Sequence, residues 1–297
     1  MDFPAGLTTR ALVPSDARAV YELMAAAELA DIGEVVIEES DIVADWQRPS
    51  CDLAGQSIGV LDGDRIVGYA EVSGADRGDA AVHPEHLGRG IGTALAHWMQ
   101  DKARSRGSSV VGMPVPEGSS GDRLLEALGY RVRWHSWVLQ LPEGATIPHR
   151  ELPSGYTVRE AVPSEYREVW QVVEDAFLEW SVRERESFED FRATVTERPG
   201  FEPWHLRVVT DPGGLVVGVA SLVVTEDTCF VARLAVDKDQ RNQGLAQVLL
   251  VDAFSVGREH GAHKAELSTD SRTGALALYE KVGMVVTSNW VNRAIDL

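Results

Sequence analysis

Two short segments have the residue types of an anion-binding turn. Arg241-Asn242-Gln243-Gly244-Leu245-Ala246 lies between an apolar run that reads as a strand and a long stretch with helical periodicity. At such a junction the first N–H groups of the helix lack intrahelical acceptors and point outward, and a glycine lets a ligand approach the backbone, so the turn can hold a pyrophosphate. Leu87-Gly88-Arg89-Gly90-Ile91-Gly92 occupies the same kind of junction earlier in the chain. Either segment alone also fits a plain strand-to-helix turn. Their occurrence twice, in register with a wider repeat, favours the anion site.

The charge balance says how such a ligand must be held. The 297 residues carry 28 Lys and Arg against 46 Asp and Glu, a net charge of −18, shared evenly between the two halves. Nucleic acid and anionic membrane surfaces are poor partners for such a chain, because both are gripped by clustered basic residues. An anionic ligand depends instead on backbone N–H groups and a few placed cations working against the global field.

Other apparent motifs carry less. Gly55-Gln56-Ser57-Ile58-Gly59 fits a hydrolase elbow but leads into a strand rather than a helix. Gly88, Gly90 and Gly92 lack the last glycine of a dinucleotide fingerprint, since Thr93 stands there, and no Walker sequence occurs. His260 and His263 have no third partner to make a metal site, and Trp134-His135-Ser136-Trp137 alternates like a strand. Cys51 and Cys229 are too few for a disulfide framework or a cysteine-based zinc site and read as small buried hydrophobes.

The elements that must position the turns follow from an internal repeat. Thr9-Arg10-Ala11-Leu12-Val13-Pro14-Ser15-Asp16 matches the segment from Val158 to Glu165, and Val67-Gly68-Tyr69-Ala70 matches Val217-Gly218-Val219-Ala220. Ala81-Val82, Gly90, Leu95, Gly107 and Gly129 match Ala235-Val236, Gly244, Leu249, Gly261 and Gly283, the spacing having grown by four residues, so the first copy has the shorter hairpin. In the second copy, strands are expected over 156–162, 206–210, 215–224, 229–236, 264–268 and 284–295, with helices from 163, over 187–198, 243–259 and 273–282. The order is β-α-α-β-β-β-α-β-α-β, a mixed sheet covered by helices. The expected domains are 1–141 and 154–297, joined by a Pro/Gly linker at 142–153.

These features resemble the GCN5-related N-acetyltransferases (GNAT). Their acetyl-CoA signature, Gln/Arg-x-x-Gly-x-Gly/Ala, is matched by Arg241, Gly244 and Ala246; Gly90 and Gly92 match in the first copy, with Leu87 in place of Gln or Arg. A second family pattern is met by Ala275, Leu278, Tyr279 and Gly283, with Met284 for the usual Phe and Arg272 for a frequent Asn. The resemblance implies an α/β (α+β) fold of two tandem GNAT-like domains, each a mixed, mostly antiparallel sheet covered by helices. It implies acetyl-CoA as co-substrate, with no metal, held by Leu234, Ala235, Val236, Arg241, Asn242, Gln243, Gly244, Leu245 and Ala246. The corresponding residues of the first copy are Val82, Arg89, Gly90, Ile91 and Gly92.

In that family an amine attacks the acetyl carbonyl directly in a ternary complex, a strand N–H receives the carbonyl oxygen, and Tyr279 would protonate the leaving thiolate. An oxyanion donor, a general acid and two held reactants are what acyl transfer needs. Leu125 stands at the equivalent position of the first copy and cannot donate a proton, so that domain is expected to be catalytically degenerate, or a non-catalytic acyl-CoA sensor. The strand from Cys229 to Val236 has no carboxylate to serve as base; Glu226, Asp227 and Glu179 lie nearby. The tandem organisation is also similar to that of mycothiol synthases.

The acceptor is expected to be a small-molecule amine. Glu179 and Trp180, with Glu174 and Asp175, suggest a cationic one recognised through ion pairing and an aromatic face, unless these are solvated helix residues. Met1-Asp2-Phe3-Pro4 has no basic flank or apolar stretch of a signal peptide and no run is long enough to cross a bilayer, so a cytoplasmic location is expected. The chain is expected as a monomer or a homodimer, between which the sequence does not choose.

Overall fold

A computed structural model describes residues 3–225 and 227–297. The chain divides into two compact units, one formed by Met1–His135 with Asn289–Leu297 and the other by Ser136–Ser288. The first contains β1 (Thr8–Arg10), α1 (Ala17–Ile32), α2 (Glu39–Trp46), α3 (Leu53–Gln56), β2 (Ser57–Asp62), β3 (Arg65–Ser73) and β4 (Arg77–Val82). These are followed by α4 (Ile91–Ser105), β5 (Val110–Pro116) and α5 (Ser120–Ala127). Next in the chain comes β6 (Arg131–Gln140), whose last five residues lie in the second unit. That unit continues with β7 (Thr157–Glu160), α6 (Tyr166–Leu178), α7 (Phe188–Thr194), β8 (Leu206–Thr210), β9 (Val216–Val224) and β10 (Thr228–Val236). It ends with α8 (Leu245–Glu259), β11 (Lys264–Asp270), α9 (Leu276–Lys281) and the start of β12 (Val285–Asp296).

The repeat has a physical basis at each matched point. Arg10 pairs with Asp16 through two hydrogen bonds of 2.6 and 2.8 Å while Asp16 also accepts from the Val13 N–H, and Arg159 and Glu165 reproduce this with Val162. One ion pair thus fixes the entry to the first helix in each copy. Gly68 and Gly218 sit on the central hairpin strands where the long helix crosses: an added Cβ would lie 2.9 Å from Ile91 Cγ2 in one case and 3.1 Å from Leu249 Cδ1 in the other. A larger residue at either position would force the helix side chain to shift. Gly68 pairs with Val82 and Gly218 with Val236, so the extra four residues of the second copy lie wholly in the hairpin between them. Part of that length is a bulge at Ala232, where the β9–β10 register shifts; the β3–β4 pairing has no such shift.

The strands of each unit are covered on both faces. In the second unit Val219 packs with Val169, Val173 and Phe191 under α6 and α7, while Ala220 and Leu222 pack with Leu249 and Phe254 under α8. In the first, Tyr69 joins Val20 and Leu23 of α1, and Ala70 and Val72 join Leu95 and Met99 of α4.

The compact units divide the chain elsewhere than at the boundaries 141 and 154 expected from the repeat. Asn289–Leu297 pairs antiparallel with β5 in the first unit and inserts Val291, and Ser136–Gln140 pairs antiparallel with β11 in the second and inserts Leu139. Backbone pairing of each copy's last strand, invisible to a repeat alignment, decides the division. The helix expected from Thr273 begins at Leu276, because the Asp270 carboxylate and Thr273 hydroxyl accept the N–H groups of Arg272 and Ala275 and hold a turn instead.

A fragment 154–297 therefore lacks Leu139, Leu141 and Ile147, all buried in the second unit's core. At about 1.5–3 kcal/mol per buried aliphatic side chain against a total stability of roughly 5–15 kcal/mol, that loss is severe. Fragment 136–288 should melt cooperatively in circular dichroism, whereas 154–297 should be insoluble or melt well below it; equal melting temperatures would refute this division.

Candidate active site

The second unit opens where two parallel strands part. β10 pairs with β11 only from Thr228 to Val231, against Lys264 to Leu267, and the bulge at Ala232 follows directly. Beyond it β10 runs on to Val236 and β11 to Asp270 without pairing to each other. The backbone groups facing the gap have no strand partner, and a cavity of about 810 Å³ lies there, walled by Leu234, Ala235 and Val236 on one side and Ser268, Thr269 and Asp270 on the other.

The turn 241–246 closes one end. Asn242 and Gly244 both take left-handed backbone conformations, φ 64° and 84°. The first intrahelical bond of α8 runs from the Val248 N–H to the Gly244 carbonyl at 3.1 Å, so the N–H groups of Leu245, Ala246 and Gln247 precede the helical ladder. Arg241, Asn242, Gly244, Leu245 and Ala246 line the cavity. Gln243 stands off: its amide donates to Gln240 Oε1 at 3.0 Å, and the Tyr156 hydroxyl donates to the same oxygen at 2.6 Å.

Arg241 does not bring the free positive charge that its place in the signature suggests. Its guanidinium forms a two-pronged pair with Glu179 at 2.6 and 2.9 Å, and its Nε donates to the Val236 carbonyl. The same bonds hold the Glu179 carboxyl below its usual range, which makes Glu179 a poor base. Trp180 also lines the cavity, but Arg272 lies 4.8 Å over its ring. Glu174 is buried and paired with Arg183, and Asp175 pairs with Arg185. The carboxylates and aromatic face expected to attract a cationic acceptor are thus already engaged by the chain's own arginines. Asp227 pairs with Lys264 at 3.3 Å beside the opposite end of β10, and Glu226 lies outside the described residues.

Tyr279, on α9, lines the same cavity. It is 8% exposed, and its hydroxyl has no hydrogen-bond partner among the described residues. Burial pushes its phenol up to about 12, so it keeps its proton through the neutral range. The sequence reading missed Arg150, from the segment after β6, and Lys281; both line this cavity. A basic residue in a Pro/Gly linker of an acidic chain was the available signal for Arg150.

The first unit repeats the turn on a smaller scale. Gly90, Ile91, Gly92 and Val82 line a cavity of about 470 Å³, together with Leu87 and Leu125. Arg89 does not line it and pairs with Asp62 at 3.1 Å. Leu124 packs where a Cβ on Gly92 would lie, 2.8 Å away, so this glycine also serves packing. The leading strand here does carry a carboxylate, Asp79, raised by burial and hydrogen-bonded by Tyr69. Nearby, His83, Glu85 and His86 converge, and the Arg65 guanidinium lies 2.7 Å from His83 Nε2 and 3.2 Å from Glu85.

Comparison with known proteins places these features in context. The sequence model described as the acetyltransferase (GNAT) family matches residues 18–129 and again 164–284. A mycothiol acetyltransferase of Salinispora arenicola is 31% identical over 76% of this chain and 77% of its own length. A GCN5-related N-acetyltransferase from Sphaerobacter thermophilus superposes with a TM-score of 0.76 at 28% identity, covering 99% of this chain and 97% of that one. A tandem GNAT protein from the clavulanic acid biosynthesis pathway shares the fold at 17% identity, with a TM-score of 0.74 over 98% of both chains.

A buried carboxylate in the first unit offers a measurable test of its interior. Glu71, on β3, is 8% exposed and accepts a hydrogen bond from Trp46 Nε1 at 3.3 Å. Burial first, then Asp79 and Asp45, raise its carboxyl from 4.5 to about 7. The folded state holds this proton more tightly than the unfolded chain, so the stability it contributes is present below pH 4.5 and lost as pH rises through 7. The penalty at pH 8 is about 3 kcal/mol. Glu71→Gln keeps an acceptor for Trp46 and should raise the melting temperature by several degrees at pH 8 but hardly at pH 5. An equal change at both pH values would show that charge burial is not the cause.

Proposed function

The chain belongs to the acetyltransferase (GNAT) family, and from that premise we propose that it moves an acetyl group from acetyl-CoA to the primary amine of a small molecule, in the unit formed by Ser136–Ser288. The observation that carries this reading is the hydroxyl of Tyr279, unpartnered among the described residues, on the wall of the cavity between the parted strands, in the unit that also holds the complete turn. The amine nitrogen attacks the acetyl carbonyl carbon, the oxygen takes the charge against a backbone N–H of β10 beyond the bulge, and the carbon–sulfur bond breaks. The sulfur leaves with the electron pair and takes its proton from Tyr279, as a positioned general acid requires. The released amine proton passes to solvent, and the Tyr279 phenolate regains a proton from solvent to complete the cycle.

Both carboxylates lining the cavity, Glu179 and Asp270, are held by arginines. On this reading the amine arrives unprotonated rather than losing its proton to a side chain. The relatives named mycothiol acetyltransferases favour a more specific acceptor, the amine whose acetylated form is mycothiol. The first unit keeps the turn but has Leu125 where the phenol would be, and reads as an acyl-CoA-binding domain without this chemistry.

Titration of the full chain with acetyl-CoA should saturate, and amines screened by detection of the released thiol should include the mycothiol precursor among the substrates. Absence of any binding would reject the reading. Tyr279→Phe should cut turnover by roughly 10²- to 10⁴-fold with little change in acetyl-CoA affinity. Unchanged turnover would leave Tyr279 a packing residue.

A further inference from the structure

The segment after β6 delivers one side chain to the anion-binding turn from outside the motif. Ile147 is buried in the second unit's core, the Pro148 carbonyl accepts a 2.6 Å hydrogen bond from Gln247 Nε2 in the first turn of α8, and Leu152 packs against the same core. Arg150 lies between these anchors, and its side chain rests on Gly244: a Cβ built there would run into Cδ and Nε and come within 2.9 Å of Cζ. The missing side chain of Gly244 therefore makes room for Arg150 as well as for a ligand.

The electrostatics of this placement are unusual for the chain. Arg241, Arg272 and Arg183 are each paired with a carboxylate, whereas Arg150 has no acidic partner among the described residues despite the excess of acidic groups. Its guanidinium instead lies beside the start of a 15-residue helix, whose N-terminus is itself positive. Two like potentials side by side gain nothing from each other. Both gain from an anion shared between them, and a guanidinium grips phosphate oxygens in a two-pronged geometry.

We propose that Arg150 is a phosphate clamp: it binds the pyrophosphate of the acyl donor from the side opposite the N–H groups at the start of α8. This rests on the acetyl-CoA reading and adds a specificity residue to it. The assignment gives the acidic chain a placed cation to offset its repulsion of a polyanionic donor, the role that Arg241 gives up to Glu179.

The test uses the full chain, the variant Arg150→Gln and two donors, acetyl-CoA and acetyl-pantetheine, which lacks the phosphates. Arg150 is exposed, so the variant should melt like the wild type. Its dissociation constant and KM for acetyl-CoA should rise at least about tenfold, the usual loss for a charge-assisted hydrogen bond, with kcat nearly unchanged. Kinetic constants with acetyl-pantetheine should be the same in both proteins. Unchanged or tighter acetyl-CoA binding in the variant would overturn the clamp, as would equal losses with both donors, while leaving the acetyltransferase reading intact. Failure of the wild type to bind acetyl-CoA would overturn both.

Discussion

The second unit is organised around the parting of two parallel strands. While β10 and β11 pair, every backbone group between them has an acceptor or donor; after Val231 and Leu267 they do not. Unpaired backbone groups are costly to bury without a partner, so such a gap persists only where water or a ligand can enter. The bulge at Ala232 turns the strand at that point, and the left-handed residues Asn242 and Gly244 then bring the start of α8 to the same opening. Cavity, turn and the Tyr279 wall all follow from this one interruption.

Charge is settled locally within that frame. The acidic composition does not produce an acidic site, because Glu174, Asp175, Glu179 and Asp270 are each matched by an arginine a few ångströms away. The cations left on the cavity wall, Arg150 and Lys281, have no carboxylate partner among the described residues. A cavity in an acidic protein can thus present a net cationic lining, and its preference need not follow the sign of the whole molecule.

The two copies keep the same scaffold and differ in the side chains that line their cavities. Both hold the arginine–carboxylate entry, the strand glycine under the long helix and the glycine-containing turn. The bulge and the phenol occur in the second unit, while a carboxylate on the leading strand, Asp79, occurs in the first opposite Leu125. Packing constraints act on both copies alike and preserve the fold. The groups that line the two cavities are not held to the same pattern by packing, and they differ between the copies.

Much of this was legible in the residues alone. The duplication, the order of elements, the turn at 241–246 and Tyr279 are local patterns: periodicity, a glycine at a helix start, and spacing repeated along the chain. The family comparison agrees with the fold they imply. Side-chain pairing was not legible. Arg241 and Glu179 are 62 positions apart, and nothing in either neighbourhood says that each neutralises the other. Nor does the sequence show that Arg150 reaches Gly244, or that the strand segments Asn289–Leu297 and Ser136–Gln140 lie in the units to which they pair. Local propensity is written within a few residues, so the sequence by itself determined the elements and the motif they carry. Strand partners and ion pairs depend on which distant segments compete for the same backbone and charge, and only the tertiary structure decides that competition.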